Sequence, residues 1–481
     1  MKRHFLFFIS LVLLCSCGMN HNNGNAKSDF KSDSNLEKEI VILSVNDMHS
    51  SIDMFPKFAA LVDSLRNVYP DMLVFSAGDN RTGNPVNDQY NPVNFPMISL
   101  MNKVGFDLSA VGNHEWDAGT DNLQQNIKQA DFPFVCANVT QKDGLNLDIK
   151  PYVMLENQGV KIAVVGMIEV RHDGIPGAHP SNLTQVSFKK AIDAMPEYQY
   201  LREQCDVMIV LSHLGFEDDV EVAQANPYLD VILGGHTHTL VEFPTEHNGV
   251  LVTQAGSHLK YATLTKIKVK DGKVTGKEAI TLDVKAFRKS DKEVKAMVDG
   301  FNDSPTLNES IGKALTKFDN PEELGCFMTD AIREVSGADF AFQNTGGVRV
   351  NYLKAGPITV KDIYTIDPFG NEIVVFEMTG QQVKNFIVDT YRKNGGYPSY
   401  VSGMTYEMQT NGKLSAYVTT DSGRFSTKAT YKVAMNSYMA STVRFESLDD
   451  GQSQYMTSEE MMIEFLRRHK TVDYQGIRRT K

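Results

Sequence analysis

Five short stretches of the chain carry side chains that can bind a metal ion or move a proton. They are Asp47-Met48-His49, Gly78-Asp79-Asn80, Gly112-Asn113-His114-Glu115, Ser212-His213-Leu214-Gly215 and Gly234-Gly235-His236-Thr237-His238. Imidazole, carboxylate and amide oxygen together suit borderline divalent ions such as Zn²⁺ and Mn²⁺. An isolated histidine is usually structural, but five such stretches in equivalent positions predict one shared metal site.

Each of these stretches follows a short apolar segment. The segments span residues 40–45, 72–76, 108–111, 207–211 and 231–233. They end at polar residues or glycine, which is typical of buried strands in a layered α/β domain. Because the loops after parallel strands gather at one edge of a sheet, we expect the five stretches to meet there.

Two metal ions need about seven or eight ligands, one of them a carboxylate that can bridge the pair. The five stretches provide enough candidates for such a centre. These are Asp47, His49, Asp79, Asn113, His213, His236 and His238. The sequence therefore predicts two divalent ions, with Zn²⁺, Mn²⁺, Co²⁺ and Mg²⁺ all left open.

The composition is that of an ordinary globular protein, with 42% hydrophobic and 22% charged residues among 481. The formal net charge of -11 argues against binding of nucleic-acid polymers, which requires a basic surface. A nucleotide remains an acceptable substrate, because metal ions or arginines can bind phosphate locally in an acidic protein.

The N-terminus resembles an export signal. Basic residues precede an apolar run over residues 5–14, which is too short to span a bilayer as a helix. The following Leu14-Cys15-Ser16-Cys17 resembles a bacterial lipoprotein box, so we expect Cys17 to carry a lipid anchor outside the cytoplasm. A plain signal peptide is the alternative. The other cysteines, Cys136, Cys205 and Cys326, form neither a disulfide framework nor a zinc spacing and are predicted to be buried thiols.

These patterns divide the chain into five parts. We predict a signal peptide over residues 1–16, a polar tether over 17–37, and the metal-binding domain over 38–290. A linker helix is predicted over 291–308 and a second α/β domain over 309–475. Within the first domain, Asp271-Gly272 predicts a tight hairpin turn.

The motif series resembles that of the calcineurin-like metallophosphoesterases. Residues 44–49 (SVNDMH) and 112–117 (GNHEWD) are similar to the 5'-nucleotidase and UDP-sugar hydrolase branch of that group. The resemblance extends over nearly all of the chain after the tether. It implies a four-layer α/β/β/α sandwich followed by a C-terminal α/β domain that recognises the substrate.

The resemblance also implies roles for single residues in the first domain. One ion would be held by Asp47, His49 and His238, the other by Asn113, His213 and His236, and Asp79 would bridge them. The family often has Gln in place of His238. His114 would be a catalytic histidine that does not bind metal, oriented by Asp117; the alternative for Asp117 is a carboxylate that caps a helix N-terminus.

In the second domain, residues 344–349 (NTGGVR) match an Asn-x-Gly-Gly-x-Arg motif of the family, and residues 368–371 (PFGN) match another. The substrate contacts that the resemblance implies are Asn344, Arg349, Phe369, Asn371 and Tyr438. Arg349 would bind phosphate, while Phe369 and Tyr438 would sandwich a base. Phe369 as an ordinary core residue is the alternative.

Two positions depart from the family pattern. We align Arg444 with an aspartate that binds ribose hydroxyls and Phe318 with an arginine. A cation cannot accept hydrogen bonds from hydroxyl groups, so we expect altered substrate preference.

The resemblance implies hydrolysis of nucleotide phosphate esters outside the cytoplasm, by attack of a metal-activated hydroxide on phosphorus. The alternatives are a UDP-sugar pyrophosphatase, a cyclic-nucleotide phosphodiesterase, another phosphoesterase, and a surface lipoprotein that binds without catalysis.

Overall fold

The structure is a computed structural model that describes residues 37–410, 412, 414–420, 423 and 425–480. The predicted signal peptide and Cys17 lie outside these residues. Among the described residues, no helix is long and apolar enough to cross a membrane.

Two six-stranded sheets face each other in the first part of the described chain. The strands of this part are β1 (Lys38–Val45), β2 (Leu73–Ser76), β3 (Leu108–Ala110), β4 (Phe134–Val135), β5 (Val139–Gln141), β6 (Tyr152–Asn157), β7 (Val160–Ile168), β8 (Val186–Phe188), β9 (Val207–His213), β10 (Val231–Gly234), β11 (Thr245–His247), β12 (Val250–Gln254), β13 (Tyr261–Lys270) and β14 (Lys273–Asp283). Of these, β5 and β8 pair with each other in a separate two-stranded sheet. The first sheet has the order β14-β13-β1-β2-β3-β4 and the second the order β11-β12-β10-β9-β7-β6. Apolar side chains of both sheets, such as Ile42 and Ile209, fill the space between them.

Helices cover the outer faces of these two sheets. They are α1 (Phe55–Arg66), α2 (Pro85–Asp88), α3 (Phe95–Val104), α4 (Gly119–Gln129), α5 (Ala191–Ala194), α6 (Phe216–Ala225) and α7 (Lys292–Asn302). Phe58 of α1, Met101 of α3 and Leu123 of α4 pack in the cluster against the first sheet. Val222 of α6 packs against the second sheet. The predicted four-layer α/β/β/α order is confirmed.

The helix predicted as a linker packs on the first domain. Val294 and Val298 of α7 are buried in the same cluster as Phe58. Asp291 caps α7 by accepting a hydrogen bond from the backbone N–H of Val294 at 2.8 Å. The predicted domain limits themselves remain predictions.

The predicted hairpin turn joins β13 to β14. These two strands pair antiparallel, with Lys270 opposite Lys273. Asp271 and Gly272 both adopt left-handed backbone, with φ of 51° and 71°. This is the conformation that two-residue hairpin turns require and that Asp-Gly provides.

The second part of the chain forms a mixed α/β domain. Its strands are β15 (Ser310–Ala314), β16 (Phe340–Gln343), β17 (Gly356–Thr359), β18 (Glu372–Thr379), β19 (Tyr400–Ser402), β20 (Met404–Gln409), β21 (Ser415–Thr420), β22 (Thr430–Asn436), β23 (Gln452–Thr457) and β24 (Thr471–Val472). Its helices are α8 (Pro321–Ser336), α9 (Val360–Ile366), α10 (Gly380–Lys393), α11 (Ser437–Thr442) and α12 (Ser458–His469).

A five-stranded sheet of order β19-β16-β22-β18-β23 forms the centre of this domain. Neighbouring residues of β16 point to opposite faces, as strand geometry requires. Ala341 packs in the cluster that contains Leu324 of α8, whereas Phe342 packs against Phe386 of α10. The sheet is therefore covered by a helix on each face.

The three cysteines of the described part lie far from each other in the fold. Cys136, Cys205 and Cys326 are buried, free, and located in three different apolar clusters. The prediction of buried thiols is confirmed.

Candidate metal centre and substrate cavity

The five predicted stretches meet between the two sheets of the first domain. The loops after β1, β2 and β3 come from the first sheet, and the loops after β9 and β10 come from the second. We expected the edge of one sheet, but the edges of two facing sheets supply the loops. Both sets of strands run parallel within their sheets, so their carboxyl ends still converge.

One group of candidate ligands contains Asp47, His49 and His238, whose ligand atoms all lie within 4.8 Å of one another. His49 Nε2 lies 2.9 Å from His238 Nε2, and His238 Nε2 lies 3.3 Å from Asp47 Oδ1. His49 Nδ1 is 3.0 Å from the carbonyl oxygen of Thr82. Since only a protonated Nδ1 can donate to that carbonyl, His49 Nε2 presents its lone pair to the group.

A second group contains Asp79, His213 and His236, again with ligand atoms within 4.8 Å. His213 Nε2 lies 3.0 Å from Asp79 Oδ2, and His236 Nδ1 lies 3.0 Å from Asn113 Oδ1. Asp79 also belongs to a group with His49. One Asp79 oxygen accepts the backbone N–H of His114 at 2.8 Å, which leaves the other directed at His213. This position between the two groups is the one that a bridging carboxylate needs.

The chemistry of these donors fits divalent cations. Asp47 Oδ1 is buried and makes no hydrogen bond. Leaving an anionic oxygen buried without a partner is costly, and a cation would satisfy it. Carboxylate, imidazole and amide groups are the three ligand types present, and borderline divalent ions accept all of them.

Electrostatics keeps part of the histidine set neutral, as metal ligands must be. Burial lowers the pKa of His49 well below the usual histidine value, and His114 lowers it further. Burial also lowers the pKa of His236 to about 4, with His213 acting in the same direction. For His213 burial is opposed by the Asp79 and Asp47 carboxylates, which raise its pKa to about 10.

The candidate ligands sit on unusual backbone. Five of them are non-glycine residues in the left-handed region, namely Asp47, His49, Asp79, His236 and His238, with φ between 46° and 80°. Residues in such sparsely populated φ/ψ regions cost about 1–3 kcal/mol each, and they cluster at functional sites. Packing must hold these loops in place.

Glu115 is the main support for two of these loops, and the sequence prediction gave it no role. Its carboxylate accepts backbone N–H groups of Asp79 at 2.9 Å, Asn80 at 2.8 Å and Gly112 at 2.6 Å. A Cβ on Gly112 would lie only 2.3 Å from Asp79 Oδ1, so glycine is required at this contact. The adjacency of Glu115 to His114 was the available sequence signal.

His114 and Asp117 form the predicted pair. His114 Nδ1 lies 2.7 Å from Asp117 Oδ2, and this carboxylate also accepts the Thr82 hydroxyl at 2.7 Å. Burial alone would lower the pKa of His114, but the Asp117 and Asp79 carboxylates outweigh it and hold this pKa above the usual value. The structure brings Asp117 to His114 rather than to the start of a helix, since α4 begins at Gly119.

A cavity of about 660 Å³ joins this centre to the second domain. Its wall contains all five residues predicted to contact substrate, which are Asn344, Arg349, Phe369, Asn371 and Tyr438. The Phe369 ring stacks on the His114 ring with centroids 5.9 Å apart, and Arg349 Cζ lies 5.6 Å from the Phe369 centroid. Phe369 is half-buried on the wall, so it is not an ordinary core residue.

The opposite wall comes from the loop after β7, which the sequence prediction left without a role. Glu169, Arg171 and His179 line the cavity from this loop. Burial raises the pKa of Glu169 to about 6. Residues 162–167 (IAVVGM) are also a short apolar segment, so the rule that selected the other five loops applied equally to Glu169. No histidine or aspartate directly follows the end of this strand, since His172 and His179 lie further along the loop.

The two departing positions do not line this cavity. Phe318 is fully buried in the core of the second domain, and Arg444 lies on the wall of a separate cavity. Lys317, beside Phe318, is exposed and pairs with Asp319 at 3.0 Å. Neither position therefore makes a contact with this cavity that would explain the expected change of substrate preference.

Comparison with known proteins agrees with this architecture. Residues 40–240 match the calcineurin-like phosphoesterase family, and residues 306–447 match the 5'-nucleotidase C-terminal domain family. The chain therefore joins a calcineurin-like metallophosphoesterase domain to a 5'-nucleotidase C-terminal domain.

Relatives extend over almost the whole chain. Protein UshA of Yersinia enterocolitica is 27% identical, over 90% of this chain and 92% of its own. A 5'-nucleotidase of Vibrio parahaemolyticus is 27% identical, over 86% and 85%. The crystal structure of a 5'-nucleotidase precursor from Thermus thermophilus superposes with a TM-score of 0.78 at 23% identity, covering 92% of this chain and 99% of that one, and shows that the fold is shared.

We predict that Glu115→Gln weakens metal binding by about 10- to 100-fold, because the amide nitrogen cannot accept the backbone N–H groups that position Asp79. Metal titration monitored by calorimetry measures this. Glu217→Gln, at an exposed site on α6, is the matched control. Unchanged affinity in Glu115→Gln would contradict the support role.

Two buried carboxyl groups hold the loop that presents Phe369. Asp367 accepts the backbone N–H of Phe369 at 3.2 Å, and Glu459 accepts that of Gly370 at 2.7 Å. The Ser458 hydroxyl donates to Asp367 at 2.6 Å and lies 3.3 Å from Glu459. Burial raises the pKa of Glu459, and the nearby Asp367 raises it further. Folding therefore favours the protonated pair.

This arrangement predicts a pH-dependent stability. A carboxyl group whose pKa is raised by folding stabilises the folded state at low pH, and that contribution is lost as the pH rises. The free energy of unfolding of Glu459→Gln, measured relative to that of the wild type, should therefore increase by about 1–2 kcal/mol from about pH 5 to about pH 9. Denaturant unfolding at both pH values measures the difference, and Glu464→Gln on the same helix should show none. A flat difference for Glu459→Gln would refute the prediction.

Proposed function

We propose that this protein hydrolyses phosphate esters of nucleotides at a centre that binds two divalent ions. One observation carries the proposal: four of the seven candidate ligands, Asp79, Asn113, His236 and His238, line the same cavity as the His114–Asp117 pair, Arg349 and Phe369. A phosphate at the ligands would therefore lie next to cationic and aromatic groups of the second domain.

The ligand groups suggest how the ions would be held. Asp47, His49 and His238 would hold one ion, and Asn113, His213 and His236 the other, with Asp79 shared. Such ions would lower the pKa of a bound water molecule and would place positive charge next to the phosphate oxygens. His238 offers a nitrogen donor and Asn113 an oxygen donor, and several divalent ions accept both kinds of donor.

The residues of the chain add two cations to this site. The Asp117 and Asp79 carboxylates raise the pKa of His114 against the effect of burial, which favours its cationic form, and its Nε2 lies 3.9 Å from Asp79 Oδ2. Arg349 lies over the Phe369 ring, which itself stacks on His114, so both cations can reach one phosphoryl group. His114 would donate a proton or hydrogen bond to the phosphate or its leaving oxygen, while Arg349 orients the oxygens.

The aromatic residues of the wall suit the rest of a nucleotide. Phe369 and Tyr438 offer ring faces on which a base can stack, at about 1–3 kcal/mol per base. Asn344 and Asn371 offer amide donors and acceptors on the same wall. A substrate with a phosphate at one end and a flat heterocycle at the other matches this layout.

We predict that His114→Ala lowers kcat for the preferred substrate by about 10²- to 10⁴-fold and leaves the metal content unchanged, because His114 acts on the proton and not on the metal. Nucleotides, UDP-sugars, cyclic nucleotides and p-nitrophenyl phosphate, each with Mn²⁺, Zn²⁺, Co²⁺ and Mg²⁺, form the assay panel. Elemental analysis measures the bound metal.

His469→Ala is the matched control, since His469 is exposed on α12 and pairs with Glu334 far from the cavity. A fully active His114→Ala variant would remove the catalytic assignment. No hydrolysis of any panel member by wild-type protein carrying bound metal would remove the proposed function and favour a binding protein.

We also propose that the protein is exported and anchored through a lipid on Cys17. The support is the basic and apolar N-terminal pattern that ends at this cysteine. Cys17→Ser is expected to move the protein from the membrane fraction to the soluble fraction and to abolish labelling by a fatty-acid analogue. Membrane association that persists in this variant would contradict the anchor.

A further inference from the structure

A hydrogen bond between two side chains joins the two walls of the cavity. Arg171 belongs to the loop after β7 in the first domain, and Tyr438 belongs to the first turn of α11 in the second. Arg171 Nη1 donates a hydrogen bond to the Tyr438 hydroxyl oxygen at 3.0 Å. Both residues line the cavity, and neither belongs to the groups of candidate metal ligands.

Further contacts fix the position of this arginine. Arg171 Nη2 donates to the carbonyl oxygen of Pro176 at 3.2 Å and lies 3.5 Å from Asp173 Oδ2. About a quarter of its side chain is exposed, at 27%. A hydrogen bond from a charged, partly shielded guanidinium is stronger than one between neutral groups. Arg171 is therefore held by its own loop in a position to orient Tyr438.

The direction of this hydrogen bond determines what Tyr438 can do next. A guanidinium only donates, so the Tyr438 oxygen accepts and the phenolic hydrogen is not used in the pair. No other hydrogen-bond partner of this hydroxyl is found among the residues that the structure describes. A phenol that already accepts a charged donor is also polarised toward donating its own hydrogen.

We propose that Arg171 is a positioning residue that fixes Tyr438 so that its hydroxyl donates a hydrogen bond to the nucleoside part of the substrate. The inference deepens the proposed function and rests on it. Tyr438 then binds by its edge as well as by its ring face. An oxygen or nitrogen acceptor on the ribose or base is the group recognised, and a substrate without a nucleoside gains nothing from the contact.

A double-mutant cycle tests the proposal. Arg171→Met, Tyr438→Phe and the double variant are assayed with the best nucleotide of the panel and with p-nitrophenyl phosphate. Each single variant should lower the ratio of kcat/KM for the nucleotide to that for p-nitrophenyl phosphate by about fivefold to tenfold, mostly through KM, as expected for loss of one hydrogen bond. The double variant should fall no further, because both changes remove the same interaction.

Two more variants sharpen the cycle. Arg171→Lys keeps a donor and should recover part of the ratio. Arg392→Met, on the exposed side of α10 where Arg392 lies near Asp389, should keep the wild-type ratio. Equal losses for both substrates would mean a structural role only, and independent, multiplying losses would mean two unrelated contacts; either result overturns the inference. Failure of the proposed function looks different, since wild-type protein would then hydrolyse no nucleotide of the panel.

Discussion

The site depends on one electrostatic constraint: two carboxylates, Asp47 and Asp79, are buried among imidazoles where water cannot solvate them. Burying an anion without a partner is among the most costly events in folding. Ring nitrogens and backbone N–H groups surround these oxygens. Asp47 Oδ1 nevertheless has no hydrogen-bond donor. A cation completes this arrangement. The strained loops, the facing sheets and the support from Glu115 all keep this set of charges together.

The division into two domains separates chemistry from recognition. The first domain provides the candidate ligand groups and the His114–Asp117 pair, while the second provides Arg349 and Phe369 from loops and Tyr438 from the first turn of α11. The contact between the Phe369 and His114 rings brings these parts together. Each domain can thus vary its loops without disturbing the core of the other. The buried pair Asp367 and Glu459 shows that the recognition loop has supports as specific as those of the metal centre.

The sequence was most informative where chemistry and position coincide. The five ligand loops could be predicted because histidine and aspartate directly follow apolar strands, and the fold class followed from the same motifs by resemblance. The two-sheet origin of the loops could not be read from single strands, since strand pairing is a long-range property. Arg171 and Glu169 were missed because no histidine or aspartate directly follows the strand that precedes their loop. Alignment paired Phe318 with an arginine of the family, whereas its apolar side chain is buried in the core of the second domain.

The buried cysteines affect how such a centre acquires its ions. The thiolate, and not the thiol, binds soft metals and attacks disulfides. Burial raises the pKa of Cys136 and of Cys326 to about 12, so at neutral pH nearly all of these groups stay protonated inside the fold. They therefore do not compete with the imidazoles for Zn²⁺, and they do not exchange with disulfides of other molecules. Burial of Cys136 and Cys326 in the folded chain thus disfavours capture of incoming ions by these two sulfur atoms.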